Sequence, residues 1–384
     1  MAITNGRNLA ELASLINSDG KISAEAFSAE LAASIDPTLY DSASDVPFED
    51  AVKGTQVFVP SEGLLIKLTD SDWYSIDGST GAAAAPIPTQ AQGAVSGYTS
   101  GGLNPDTGVT DTIEKSPFAA DANATDVGDL TQGTYGSAGQ SSSVSGYASG
   151  GGPASRSKIE KFPFATDGNA TNIGDLTLAR NYVTGQSSST SGYTSSGTAP
   201  QLGPTLSVDN TIDKFSFSAD GNATDVGDLT ANKWGASGQS STESGYVSGS
   251  WQASLTNVIE KFPFATDANA TDVGDLTVAR GLAVGQNSAE SGYVSGGIDA
   301  ANVKVNVIDK FPFATDGNAT DVGDLTLGRD FSAGQSSTQS GYSSGGRTPT
   351  FLNTIDKFPF ATDGNATDVG DLTLAKSNFA GQQV

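Results

Sequence analysis

From residue 93 onward the chain alternates short hydrophobic runs with breaks rich in glycine and serine, six times over. The run I-[DE]-K-[FS]-[PS]-F, at Ile113, Ile159, Ile212, Ile259, Ile308 and Ile355, carries apolar residues on both faces of an extended chain. That pattern predicts a strand sandwiched between neighbouring sheets. In the specimen stretch 280–329, Ala283 to Ser288 and Gly292 to Gly297 read as two strands joined by a tight turn. The third strand, 306–314, follows a loop, and Asp321 to Thr326 returns as a fourth after the turn cluster Asp316-Gly317-Asn318-Ala319-Thr320.

Spacing separates the rigid part from the free one. Each isoleucine lies 34 residues before the tyrosine of the following S-G-Y in all five intervals, whereas from tyrosine to the next isoleucine the count runs 15, 12, 19, 13, 15 and 13. A unit of fixed geometry therefore alternates with one loop free to change length, and departures from the repeat are expected to concentrate there. Four short antiparallel strands per unit of 46 to 53 residues, six times, predict an all-β, six-bladed β-propeller over 93–384. Pro117, Pro163, Pro263, Pro312 and Pro359 fall inside the third strand, where proline removes a ladder donor, so a bulge or a departure from the ladder is expected there.

The two ends of the array are complementary. The stretch beginning at Gly93 lacks the G-Q strand that opens the other units, while Lys376 to Val384 has that strand and nothing after it. The last residues should complete the first blade as its innermost strand, closing the ring. Their Gly, Ala and Ser content suits a crowded axis.

A basic residue (Arg180, Lys233, Arg280, Arg329, Lys376), a strand, a second strand ending in a glycine pair (Gly101-Gly102, Gly296-Gly297, Gly345-Gly346), a variable loop, an aromatic strand and a final hairpin together resemble kelch repeats. The resemblance covers about three-quarters of the chain. It departs from the kelch pattern where that family usually carries tryptophan in the outer strand; here Ile173, Val226, Val273, Val322 and Val369 stand in that neighbourhood.

Residues 1–78 read as a small α+β region. Helical spacing over 8–18 and 23–35 predicts two short helices, and 54–60, 64–68 and 72–76 predict a three-stranded meander, followed by a linker over 79–92. So short a region buries little surface alone, so a partner or self-association is expected. It resembles the N-terminal attachment regions of tailed-phage fibres and appendages, and the near-perfect I-[DE]-K-F-P-F-A-T repeats resemble virion structural proteins of marine cyanobacterial phages.

Composition narrows the chemistry. Cysteine and histidine are absent, which removes disulfides, zinc or iron-sulfur sites built on them, and imidazole or thiolate catalysis. With 43 acidic against 19 basic residues the formal charge is -24, disfavouring nucleic acid and anionic membranes as partners. No long apolar span and no secretory signal is read, so the chain is expected to be soluble, without membrane insertion. Asn-Ala-Thr recurs at Asn123, Asn169, Asn222, Asn269, Asn318 and Asn365 and is read as a turn element.

The constellation D-[GA]-N-A-T-[DN]-[VI]-G-D sets oxygen ligands at alternating positions, as at Asp363, Asn365, Thr367, Asp368 and Asp371. It lacks the glycine and bidentate glutamate of a calcium loop, so solvated hairpin turns are the alternative and no metal or other cofactor is assigned. The repeated carboxylates argue against a dedicated catalytic pair, because a catalytic centre ordinarily breaks symmetry. Symmetry is broken in the loops, at Trp251 and Gln252, at Arg347 and over 198–209. Those groups suit stacking on and hydrogen bonding to a sugar, or equally packing between loops.

The expectation is a non-enzymatic virion structural or appendage protein, located in the virion. Residues 1–78 would fix it to other virion proteins as a homo-oligomer, and the propeller would face a host surface glycan. The alternatives are a polysaccharide-active enzyme on a propeller, with Asp209 or Asp299 as symmetry-breaking acids, and a cytoplasmic kelch-type interaction module.

Overall fold

The structure, a computed structural model, describes residues 56–59, 63–67, 73–76, 92–153, 155–199 and 207–384. The chain divides into two units, 1–89 and 90–384. In the first, Gln56–Val59, Gly63–Lys67 and Trp73–Ile76 form an antiparallel meander in sequence order, the three strands expected there. The helices expected over 8–18 and 23–35 lie outside the described residues, as does the linker up to residue 91.

The second unit is a six-bladed β-propeller. Each blade is built on four antiparallel strands, to which the third adds the short strand Thr198–Ala199; in the sixth they run Ala333–Ser336, Ser340–Ser344, Thr354–Pro359 and Thr367–Asp371 from the axis outward. The first blade is assembled from both ends of the array, with Ala380–Gln383 as its innermost strand beside Ser96–Asn104, then Gly108–Pro117 and Thr125–Asp129. Ala380 pairs with Ser100 and Gln383 with Gly97, and the Val384 carbonyl accepts from the N–H groups of Val95 and Ser96 at 2.7 and 2.9 Å. The ring therefore closes as the complementary ends require, and no open edge remains at that seam.

The prolines sit where the outer ladder has already ended. Pro312 pairs with Ser291 of the second strand, but pairing to the outer strand stops at Lys310, so the missing N–H forfeits no bond on that side. A bulge does occur, in the outer strand. Ile308 faces Gly323 and Asp309 faces Asp321, leaving Val322 as the extra residue. The corresponding residues, Val127, Ile173, Val226, Val273 and Val369 among them, pack against the cores between blades.

Those cores lie at the seams, and every seam uses the same parts. The S-G-Y tyrosine meets the second phenylalanine of the next blade, Tyr98 on Phe164 at 4.7 Å between ring centroids and, across the closing seam, Tyr342 on Phe118 at 4.8 Å. Such a pair contributes about 0.5–1.5 kcal/mol beyond the burial itself. The lysine of I-[DE]-K reaches the aspartate of the next D-x-N-A-T, Lys115 to Asp167 at 3.0 Å and Lys357 to Asp121 at 2.8 Å. The asparagine of that motif accepts from the preceding blade's outer strand, Asp129 N–H to Asn169 at 3.0 Å and Asp371 N–H to Asn123 at 3.1 Å. At the axis the G-Q glutamine donates to the next tyrosine's carbonyl, Gln140 to Tyr193 and Gln382 to Tyr147, both at 2.9 Å.

Inner strands approach so closely that only glycine fits between them. A Cβ added at Gly139, Gly185, Gly238, Gly285, Gly334 or Gly381 would fall 2.0–2.2 Å from the carbonyl oxygen of the neighbouring blade's glycine.

Candidate functional site

After each outer strand the chain runs back to the axis through L-T-x-x, and the basic residue that follows is buried beneath the next blade. Arg180, Arg280 and Arg329 reach Asp213, Asp309 and Asp356, while Lys233 and Lys376 reach Glu260 and Glu114. Every one of these side chains is essentially inaccessible, so each carboxylate needs further donors, and the threonine of L-T supplies them. Thr177 N–H and hydroxyl lie 3.1 and 2.6 Å from Asp213, and Thr277 repeats this on Asp309 at 3.0 and 2.7 Å. Burial pulls the Arg280 and Arg329 guanidinium groups below their ordinary range, opposed by Asp309 and Asp356 respectively. In the second blade Thr134 stands where the others have the cation. Arg156, from the third strand, fills in, donating to Thr134 Oγ1 at 2.5 Å and to the Gly133 carbonyl at 2.7 Å.

This anchored segment fixes the backbone of the two residues after it. Gly136, Tyr182, Gly235, Leu282, Phe331 and Asn378 occupy one equivalent position and all adopt the left-handed conformation, with φ of 65, 51, 61, 58, 56 and 61°. Their backbones join from blade to blade around the axis. Leu282 N–H donates to the Gly235 carbonyl at 2.7 Å, Phe331 to Leu282 at 2.9 Å, Asn378 to Phe331 at 2.9 Å and Gly136 to Asn378 at 2.7 Å. Glycine takes this conformation freely, while other L-residues lose roughly 1–2 kcal/mol each.

The same segments hold the variable loops. Trp234 and Trp251 exchange backbone hydrogen bonds at 3.0 and 2.9 Å, and Asp330 and Arg347 do so at 3.1 and 3.0 Å. Loop residues are thereby set beside the left-handed ring, and a row of side chains crosses the axis. Trp251 stacks on Trp234 (5.6 Å), Trp234 meets Tyr182 (5.4 Å), Tyr182 meets Phe331 (5.9 Å), and the Arg347 guanidinium lies 4.8 Å above the Phe331 ring. Tyr135 touches Tyr182 from the other side at 6.1 Å. Tyr182 enters the third blade and Phe331 the sixth, which face each other across the ring. Their rings therefore roof the axial cavity, which has a volume of about 160 Å³.

Tyr135, Tyr182, Trp234, Trp251 and Phe331 are all partly exposed. Burial holds the Tyr182 phenol above its ordinary range, with Tyr135 adding to the effect and Arg347 opposing it. Arg347 uses its Nε on Asp330 at 3.1 Å, and its side chain is 41% exposed, leaving the terminal nitrogens turned to solvent at the end of the row. No acidic or basic side chain lines the cavity among the described residues. Apolar ring faces, a neutral phenol and a guanidinium are what this surface offers, a combination suited to stacking and hydrogen bonding.

Of the residues singled out in the sequence, Trp251 and Arg347 are brought together as the two ends of this row. Gln252 sits one residue out in the turn of its loop, its N–H donating to the Ser254 carbonyl at 3.0 Å. Within 198–209, Thr198 and Ala199 pair with Val208 and Ser207, and 200–206 lie outside the described residues. Asp209 pairs with Arg180 at 2.8 Å, and Asp299 accepts from the Ala301 and Val303 N–H groups. The four acidic-turn positions are used separately. Asp363 pairs with Lys310, Asn365 accepts from Asp324 N–H, Asp368 accepts from Gly370 N–H, and Asp371 donates its N–H to Asn123. Among the described residues no group of three or more acidic side chains is disposed to hold a metal ion.

Departures from the repeat, expected in the variable loops, occur outside them as well. The pair at the start of each inner segment reads Tyr135-Gly136, Asn181-Tyr182, Trp234-Gly235, Gly281-Leu282, Asp330-Phe331 and Ser377-Asn378. No two are alike, between flanks that scarcely change. That diversity was the available signal for Trp234, Tyr182 and Phe331.

No described protein family matches the sequence, and no curated protein matches it. Among solved structures the chain is similar to that reported as "Structure of YjhT", with a TM-score of 0.56 and 11% identity over 65% of this chain and 88% of that one. A likeness at that identity carries the architecture and nothing finer, and the architecture it carries is the six-bladed β-propeller.

Proposed function

We propose that the chain is a non-enzymatic virion structural or appendage protein, held by its N-terminal region and presenting the loop face of its propeller to a host surface glycan. The observation that carries the recognition half is the row Trp251, Trp234, Tyr182, Phe331 and Arg347 across the axial mouth. Partly exposed aromatic faces ending in a solvent-facing guanidinium match the apolar face and hydroxyl edge of a sugar. Among the described residues no carboxylate lines the cavity beneath them, and burial holds the Tyr182 phenol above its ordinary range, which favours binding over carboxylate-driven turnover. The virion half rests on the resemblance of residues 1–78 to tailed-phage attachment regions and of the repeats to phage structural proteins. Self-association and contacts with other virion proteins through 1–78 belong to the same reading, as does the kelch-like character of the repeats.

Two measurements test it. Mass spectrometry of purified particles should find the chain, and immobilised host surface polysaccharide should retain the protein but not its Trp234→Ala variant. Polysaccharide cleavage by the protein would replace the binding reading with an enzymatic one. Co-purification with a cellular protein in place of particles would favour the cytoplasmic kelch-type module.

A further inference from the structure

We infer that the left-handed ring at the axial mouth, above all Tyr182 and Phe331, determines what the propeller accepts, and that it accepts the apolar face of an uncharged pyranose ring; this rests on the glycan-binding reading above. The backbone ring demands positive φ at six equivalent positions, and glycine at 136 and 235 shows that the position needs no side chain. Tyrosine and phenylalanine nevertheless occupy it at 182 and 331, in a conformation that disfavours them. Their rings are not returned to the core. Both stay partly exposed and meet over the axis. A strained conformation that holds an aromatic face toward solvent points to use of that face.

The alternation between neighbouring positions supports the same conclusion. Where the left-handed residue is glycine, at 136 and 235, the residue before it is Tyr135 or Trp234. Where the left-handed residue is Tyr182 or Phe331, the residue before it is Asn181 or Asp330. Aromatic surface is thus delivered to the mouth from either of two positions while the G-Q strand that follows persists, and so does the buried cation before it except at Thr134.

The chemistry of the ligand follows from the walls. Among the described residues no charged side chain lines the cavity, so the group seated at the centre is uncharged. Asn378, Ser137 and Ser237 line the same cavity together with serine and threonine residues of the inner strands, a neutral polar wall beneath the aromatic roof. A ligand with an apolar face and several hydroxyls suits both the roof and this wall. The cavity volume of about 160 Å³ admits only a small group beneath the rings, since a cavity of ~150 Å³ holds one benzene.

Saturation-transfer NMR with the methyl glycosides of glucose, galactose and mannose, run on the full chain and on Tyr182→Gly and Phe331→Gly, tests this alongside thermal melting. At least one glycoside should receive saturation from the wild type, and each variant should bind it roughly tenfold more weakly. The variants should melt within about 3 °C of the wild type, since strain relief offsets the lost contacts. Undiminished binding in both variants overturns the inference. So does a larger fall in melting temperature in both, which would assign the rings to holding blades together. If host polysaccharide binds the wild type but no neutral glycoside does, this inference fails and the glycan reading stands; if neither binds, both fall.

Discussion

Arg329 Nη2 lies 2.9 Å from Asp356 Oδ2, and both side chains are wholly buried. The ring matches cation length to acid length at this position. The longer arginine meets aspartate at Asp213, Asp309 and Asp356, and the shorter lysine meets glutamate at Glu260 and Glu114. Reach is conserved while identity changes, because a buried charge whose partner falls short retains its desolvation cost without the compensating contact.

Replacing Arg329 by Lys alone should destabilise the propeller by about 2 kcal/mol, and Asp356→Ala, which strands the guanidinium, by about 3–5 kcal/mol. The double exchange R329K/D356E should recover to within about 1 kcal/mol of wild type. Urea unfolding of the four proteins reads this cycle. Additive effects in the double variant would show that reach is not what couples the two.

Gly334→Ala puts a methyl 2.2 Å from the Gly285 carbonyl and should cost about 1–3 kcal/mol or prevent ring closure. Gly317→Ala, with nothing within 4 Å of the added carbon, should change stability by less than about 0.5 kcal/mol. Thermal melting of the pair separates crowding at the axis from a general intolerance of alanine.

Stability should be lost on the alkaline side. Lys357 is held above the ordinary value of 10.5 by its hydrogen bond to Asp121, against burial, and Lys214 by Asp267 in the same way. Such a lysine contributes fully below pH 10.5 and loses its contribution as pH rises through the folded value. Burial also raises Tyr193, Tyr246, Tyr293 and Tyr342 above 10.0, so the unfolded chain ionises first and stability falls further above that pH. The melting temperature is expected to fall steeply above about pH 10. A level profile to pH 12 would count against the inter-blade role of these groups.

Removing residues 380–384 takes the innermost strand from the first blade and exposes the Ser96–Asn104 edge. The shortened chain should lose cooperative melting and associate, visible as a higher-order peak in light scattering. A peptide of that sequence should bind it. A monomer with unchanged melting would show that the closing strand contributes little.

Strand identity and ring closure were legible because they depend on local pattern and on counting. The 34-residue spacing fixed a rigid unit, and the missing G-Q strand near Gly93 named its replacement at Gly381-Gln382. What a motif does across a seam was not legible. Asn169 reads as a turn residue, yet its side chain accepts from Asp129 in the blade before it, a contact between residues 40 apart. The prolines lie beyond the end of the outer ladder, while the bulge lies in the outer strand at residues such as Val322. The loops single out Trp251 and Arg347, while Trp234, Tyr182 and Phe331 lie between repeat motifs and carry none of their own. Their importance arises only when the ring brings residues of opposite blades within 5.9 Å.

The seam between the sixth and first blades uses the same tyrosine stack, lysine pair and asparagine acceptor as every other. Chain continuity is consequently independent of blade order, and the cut in the polypeptide has no privileged location. The propeller should tolerate permutation, with old ends joined and new ones opened in any loop between blades.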